Sequence, residues 1–473
     1  MRLPDEFILQ TREAMGDELF ALYRNAVEQE PPVSIRLNPR KPTDVALSDV
    51  VPWCPRGYYL SSRPVFTFDP LFHGGCYYVQ EAASMFVSRV LSTFINDPVV
   101  ALDLCAAPGG KSTAALPVLP EGSVLISNDV VPQRAQILYE NMQKWGWSNT
   151  IVTSVATSVY AQLTALADVI LCDVPCSGEG MFRKDPVAVA EWSRQNVAKC
   201  QSLQRSILRD AWRCLRPGGI LIYSTCTLNT LENEANVGWF CNVTDASLLA
   251  VPVDDGWGIT GSLLPASSGG TDGPVYRFLP GMTRGEGLFM AVVRKGDKQV
   301  EEQCARNIKP QKISWLSNDK VSCRHWLASP ASFSFCLSPD KQEIWAIPAY
   351  MSNLLTAVWR LSPLSAGVKM AAVRGRELLP DASLALSVEL DEGAFPRAEL
   401  SYGQAIAYLQ RAAVVLPDGV PHGHVLVTFR GVPLGFVNNI GSRANNLYPK
   451  EWRIRTTHIA DKYEDPLNKT ITR

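Results

Sequence analysis

The 473-residue chain has twelve cysteines but no Cys-X-X-Cys pair, and neither a second pair nor a nearby histidine completes a zinc set around Cys172 and Cys176. That pattern fits reduced thiols and argues against a disulfide framework. Histidine is scarce: His73, His325, His422, His424 and His458 are scattered and form no metal-ligand constellation. Pro-His-Gly-His at 421–424 reads first as a surface turn and only second as a ligand pair. No apolar run approaches the ~18 residues of a membrane span. The start, MRLPDEFILQ, carries acids early and no apolar segment of signal length. A cytoplasmic protein is expected. An excess of one charge is also missing. The formal net charge is −1, so a nucleic-acid partner would need local basic patches instead of an overall field.

Apolar material is plentiful. Hydrophobic residues make up 46% of the chain, and the length suits roughly three domains. Residues 1–85 begin with helical patterning (DELFALYRNAVEQE) and continue as an extended, proline-rich stretch. Residues 86–297 alternate apolar strands with amphipathic helices, the signature of a parallel α/β sheet. Strands are expected at 99–105, 123–129, 168–173, 219–225 and 287–295, with helices at 131–145 and 193–215. The polar stretch 296–311 reads as a linker, 312–380 as a small mixed region, and 381–473 as short β runs with turns.

The chemistry-bearing residues cluster at strand ends. DLCAAPGGKSTAAL (103–116) is a strand, a glycine-rich turn and a helix start, a form that lets backbone approach a ligand. It has neither the Walker spacing nor GxGxxG. The next strand ends in Asp129, which can accept both hydroxyls of a ribose or form the cap of the following helix. Together these features suggest a nucleoside cofactor on a Rossmann-like sheet. Asp173, Cys176 and Cys226 follow two later strands. A carboxyl beside a base can hydrogen-bond or help protonate it, and a thiolate can add to C6 of a pyrimidine, which activates C5 toward a methyl donor. A free thiol is only a few per cent thiolate at neutral pH, so positive charge or a base is needed nearby, and Lys111 is a candidate. Which cysteine attacks stays open at this level.

CAAPGGK (105–111), DVPCSGEGMFRKDP (173–186), YSTCTLNTLENE (223–234) and RFLPGMTRGEGLFMAVVRK (277–295) resemble the motifs of the NOL–NOP–Sun group of RNA 5-methylcytosine methyltransferases. SIRLN (34–38) and HGGCYYVQEAASM (73–85) resemble that group's amino-terminal elements. LGFVNNIGSRANNLYPKEWRIR (434–455) narrows the likeness to a bacterial branch acting on small-subunit ribosomal RNA. The resemblance covers nearly the whole chain. It implies an α/β fold: a Rossmann-like class I methyltransferase domain at 86–297, with an amino-terminal α+β RNA-binding extension at 1–85. Beyond the small mixed region it implies a β-rich, PUA-like RNA-binding module at 381–473.

By the same resemblance Cys226 is the nucleophile and Cys176 helps break the adduct, whereas DNA cytosine methyltransferases attack with the Pro-Cys thiol. Asp173 would contact the base and also serve the cofactor. Cys105, Ala106, Ala107, Pro108, Gly109, Gly110, Lys111 and Asp129 would hold S-adenosyl-L-methionine. The implied partner is 16S ribosomal RNA within the small subunit; the same chemistry on transfer RNA, or an RNA-binding assembly role, are the alternatives. Arg443, Lys450, Arg453 and Arg455 are candidate phosphate contacts, with Tyr448 and Trp452 either stacking on bases or closing a small core. Two positions depart from the family pattern. The loop VTSVATSVY (152–160) has no acid where relatives contact adenine, the aligned position falling near Ala156 or Thr157, and Gly281 stands where some relatives have histidine.

Overall fold

The computed structural model describes residues 3–41, 43–44, 46–297, 312–375, 377–456 and 465–467. The linker expected at 296–311 lies outside these beyond Asp297.

The apolar runs of the central region form one nine-stranded sheet. Its main strands are β1 (Val100–Asp103), β2 (Val124–Asn128), β3 (Thr150–Thr153), β4 (Ala167–Asp173), β5 (Leu215–Thr225), β6 (Val275–Phe278) and β7 (Leu288–Arg294). In space they run β3-β2-β1-β4-β5-β7, with β6 antiparallel to β7. The first five are parallel and β7 is antiparallel to β5. Alternate residues enter different cores, Val169 and Leu171 on one face, Ile170 and Cys172 on the other. Burial on both faces is why these strands read as unbroken apolar runs. The chain order reverses between β1 and β4, and ligands of such sheets bind beyond the carboxyl ends at that point.

The two expected helices lie at Pro132–Trp145 and Arg194–Cys214. Pro132 occupies the first turn, where its missing N–H costs nothing. Ser193 caps the second helix by accepting the Asn196 N–H. The amino-terminal helix is longer than its patterning suggests, Asp5–Val27, and is broken at Gly16. Its Phe7, Phe20 and Tyr23 pack on Phe182, Trp192 and Leu228, so it covers the loops that follow β4 and β5.

The extended stretch after this helix is a four-stranded antiparallel sheet built around Val33–Leu37 and Cys54–Leu60. The mixed region forms a five-stranded antiparallel sheet. From that region Ser365–Ala366 departs to pair with β3. The carboxy-terminal strands Arg397–Glu399, Gly423–Phe429, Val432–Asn439 and Ala444–Asn446 form a fourth sheet. Its core is shared with the amino-terminal sheet: Ile35 and Tyr77 belong to one cluster with Ile406, Tyr408 and Val425. Among the described residues no helix is long and apolar enough to cross a membrane, and no group of three ligating side chains could hold a metal.

Candidate active site

Beyond β1 the chain turns at Gly109, whose φ of +112° is a conformation that a side chain would strain. The turn carrying Cys105 to Lys111 is pinned from several sides. Ala106 N–H donates to the Asn128 carbonyl (2.7 Å), Asn141 Nδ2 to the Pro108 carbonyl (2.8 Å), and Arg134 Nη2 to the Ala107 carbonyl (2.9 Å). Behind the turn, buried Arg36 donates to Thr113 Oγ1 at 2.7 Å and Gln80 Oε1 at 2.8 Å.

At the tip of β2, Asp129 is nearly buried. Its Oδ1 accepts the Val131 N–H at 3.0 Å and its Oδ2 lies 3.3 Å from Arg134. It thus shapes the turn into the helix while keeping a charge beside the glycine-rich loop. Asp103, inside β1, accepts from Ser112 Oγ at 2.7 Å through one oxygen, while its Oδ1 has no partner. Burial first, then the charge of Asp173, push this carboxyl up to about 7, against the Ser112 hydrogen bond.

The ends of β4 and β5 meet here. Lys111 Nζ lies 2.8 Å from Asp173 Oδ1, and Ser224 Oγ donates to the same oxygen at 2.8 Å. Burial works against the Lys111 charge, but Asp173 and then Cys226 outweigh it and hold the ammonium above its ordinary range. The two sulfurs, Cys176 and Cys226, are 3.3 Å apart. Their roles are unequal. The hydrogen bond to Cys226, followed by burial, raises the Cys176 thiol well above its usual range, although either sulfur can be the donor in the contact itself.

What holds the sulfurs together is a set of residues that the sequence motifs contained without announcing a role. Glu179, after Cys176, accepts the N–H groups of Leu228 and Asn229, after Cys226, both at 2.8 Å. It also accepts Trp192 Nε1 at 2.8 Å. Glu232, buried, accepts from Ser177 N at 3.0 Å, Gln204 Nε2 at 2.6 Å and Asn229 Nδ2 at 2.8 Å. Gly180 N–H donates to the Cys226 carbonyl at 2.7 Å, and a Cβ on Gly180 would stand 2.5 Å from that oxygen. Beneath lies a buried ion pair, Arg277 Nε on Glu234 Oε1 at 2.6 Å, with Arg277 Nη1 on the Leu228 carbonyl at 2.7 Å. The acids and amides flanking both cysteines in CSGEG and TLNTLENE were the available signal.

Comparisons with known proteins give this geometry a family. Residues 93–294 match the family described as 16S rRNA methyltransferase RsmB/F, 3–82 the N-terminal domain of 16S rRNA methyltransferase RsmF, and 395–454 the methyltransferase RsmF PUA domain. Ribosomal RNA small subunit methyltransferase F of Salmonella agona (strain SL483) is 32% identical over 482 aligned positions, spanning 95% of this chain and 96% of that protein. The chain belongs to the ribosomal RNA small subunit methyltransferase F family. It is therefore an enzyme of the methyltransferase class. The Salmonella newport (strain SL254) member aligns with the same identity and coverage, 32% over 95% and 96%. Among solved structures, a methyltransferase homolog from Pyrococcus horikoshii is 26% identical, with a TM-score of 0.50 over 62% of this chain and all (100%) of that one. NSun6 from Pyrococcus horikoshii with SFG, 21% identical, shares the fold with a TM-score of 0.51 over 63% of this chain and 99% of that one.

Two features that the sequence left open are placed by the fold. The loop near Ala156 and Thr157 indeed has no acid of its own, but folding brings Asp210 from the helix Arg194–Cys214, and Thr157 Oγ1 donates to it at 2.6 Å. In the tail, Arg443, Lys450, Arg453 and Arg455 are all exposed. Tyr448 and Trp452, in contrast, are buried, pack edge-on at 6.2 Å and join the shared core. They close a core in this arrangement.

Proposed function

We propose that the chain methylates C5 of a cytosine in 16S ribosomal RNA, as a cytoplasmic enzyme acting on the small subunit. By family resemblance the target is the decoding-region cytosine 1407. The observation that carries the reading is the sulfur pair, 3.3 Å apart, beside the Lys111–Asp173 pair at 2.8 Å. S-adenosylmethionine, when bound, supplies a methyl group on a cationic sulfonium. Cys226 Sγ bonds to C6 of the cytosine, and its negative charge passes into the ring, making C5 the carbon that accepts the methyl group. Lys111 favours the thiolate by its charge. Asp173, with its side chain 34% exposed, faces the base. Once Cys226 is bonded to carbon, the partner that kept the Cys176 proton in place is gone. Cys176 then gives its proton to solvent and, as the thiolate, takes the C5 proton while the S–C6 bond breaks and Cys226 leaves as thiolate.

The residues fit this cofactor. Asp103, Asp129 and Asp173 act on one another electrostatically, with Lys111 paired to Asp173 and Arg134 to Asp129, and the third carboxylate, without a cation of its own among the described residues, suits a ligand carrying sulfonium and ammonium groups. The fit has a pH signature. A cation arriving beside Asp103 favours its charged form, so its pKa falls from about 7 and a proton leaves on binding. Calorimetry in buffers of different ionisation enthalpy should show more proton release at pH 6 than at pH 8, and Asp103→Asn should remove the difference. Asp129→Asn keeps the acceptor for Val131 N–H but loses the charge offered to the ribose hydroxyls. Cofactor affinity should fall about tenfold or more, since hydrogen bonds to charged groups contribute roughly 1.5–3 kcal/mol. Equal affinity would leave Asp129 as a turn-former alone.

For RNA grip, the shared core makes truncation of the tail uninformative, so point changes are needed. Neutralising Arg443, Lys450, Arg453 and Arg455 together should flatten the salt dependence of RNA binding, by about 0.7 in slope for each single-strand phosphate no longer neutralised. An unchanged slope would move the grip elsewhere. The reading as a whole is tested by methylation of naked 16S RNA, assembled small subunits and transfer RNA. One 5-methylcytosine per small-subunit RNA is expected; label confined to transfer RNA, or to another base, would overturn it.

A further inference from the structure

A cavity of about 360 Å³ lies between the amino-terminal sheet, the helix Phe86–Phe94 and the far end of the helix Gly110–Ala115. None of the residues assigned above to methyl transfer or cofactor binding lines it. Its size falls in the usual range for small-ligand pockets. Three arginines, Arg36, Arg56 and Arg89, form part of its wall, and no carboxylate does. Asp254 and Asp255, on the turn that carries Trp257, stay outside it.

Arg36 is the unusual member. It is 2% exposed, and its Nε and Nη2 reach only neutral acceptors, on Gln80, Gly110 and Thr113. Its Nη1 has no hydrogen-bond partner among the described residues, and the guanidinium lies over the Trp145 ring at 4.6 Å, an aromatic contact that is no counter-charge. Burial lowers its pKa to about 10, which still leaves it charged at neutral pH. A buried guanidinium without a counter-charge is costly unless something pairs with it. Arg89 makes only long contacts, 3.4 Å, to the Pro252 carbonyl and lies 5.8 Å from the centre of the half-buried Trp257 ring. Arg56 is exposed. Among the described residues none of the three has an acidic partner. Trp257 meets Trp53 edge-on at 6.0 Å, and prolines complete the apolar side of the wall. Positive charge without acid, beside a flat aromatic surface, matches a phosphate joined to a planar base.

We propose that this cavity binds one nucleotide, its phosphate against the arginines and its base against Trp257, either as a residue of an RNA strand or as a free mononucleotide. The assignment stands independently of the cysteine chemistry. The test uses the full-length protein, with CMP and a single-stranded oligouridylate as probes, by calorimetry at low salt. At least one probe should bind, and Arg56→Ala combined with Trp257→Ala should weaken it tenfold or more while S-adenosylmethionine affinity stays within twofold. Loss for CMP identifies a mononucleotide site; loss for the oligonucleotide alone identifies an RNA residue. Trp257→Ala by itself keeps every charge and should still weaken binding at least threefold. If only Arg56→Ala has an effect, a bare anion site explains it and the nucleotide assignment fails. It also fails if neither probe binds or the double variant matches the parent. A measurement without any variant agrees or disagrees directly: with 4-thiouridine monophosphate and an oligouridylate carrying 4-thiouridine as photo-probes, at least one should crosslink to residues 52–56 or Trp257, and crosslinks of both confined to other segments overturn the proposal.

Discussion

Cys176→Ala should accumulate a covalent protein–RNA complex that survives denaturing electrophoresis, and Cys226→Ala should form none and methylate nothing. The asymmetry follows from the sulfur pair. Cys226 lies within reach of the Lys111 charge, whereas the hydrogen bond to Cys226 and then burial raise the Cys176 thiol well above its usual range. Removing Cys176 leaves the attacking sulfur and its cation in place, so the S–C6 bond forms and C5 is methylated. Loss of the C5 proton and departure of Cys226 then lack their helper, and the complex stalls. The double variant should be free of adduct. If Cys226→Ala accumulates the complex and Cys176→Ala is inert, the roles are reversed and the chemistry follows the DNA enzymes. Activity retained in both single variants would remove the covalent route.

Lys111→Met should slow methyl transfer by about 10² or more, the order seen when one preorganised electrostatic group is removed from a site. Methionine keeps much of the side chain's length and removes the charge that faces both Asp173 and Cys226. Asp173 retains Ser224 Oγ as a donor at 2.8 Å and remains partly solvated, so the site should stay folded. The decisive readout is the rate of adduct formation in the Cys176→Ala background at saturating cofactor. A fall by a similar factor ties Lys111 to the attack. An unchanged rate of adduct formation would confine Lys111 to cofactor binding.

Much of the site was legible before folding is considered. Cys105 to Lys111, Asp129, Asp173, Cys176 and Cys226 all sit at the ends of apolar runs, and in a parallel sheet those ends converge on one edge. Glu179 and Glu232 were not legible as bridging residues. Their acceptors serve backbone N–H groups and side chains about 50 residues away in the chain, and no spacing rule predicts such a partner. Tyr448 and Trp452 were ambiguous for the same reason. An aromatic in a basic tail has the same sequence signature whether it faces a base or a core, and only the packing of Tyr408 and the amino-terminal sheet against it resolves the question.

The sequence by itself determined the local elements: strands long and apolar enough to be buried on both faces, helices with Pro132 and Ser193 at their starts, a turn that needs Gly109, and cysteines placed just past strand ends. These depend on interactions between near neighbours, which recur wherever the pattern recurs. Tertiary structure decided the rest. The 3.3 Å between the sulfurs, the raised Cys176 thiol, the Asp210 carboxylate beside the Thr157 loop, the core shared by the chain's two ends and the burial of Arg36 over the Trp145 ring each join segments far apart in the chain. Such contacts arise only when sheets and helices bury surface together, because burial sets both the distances and the weak dielectric screening that give those groups their chemistry.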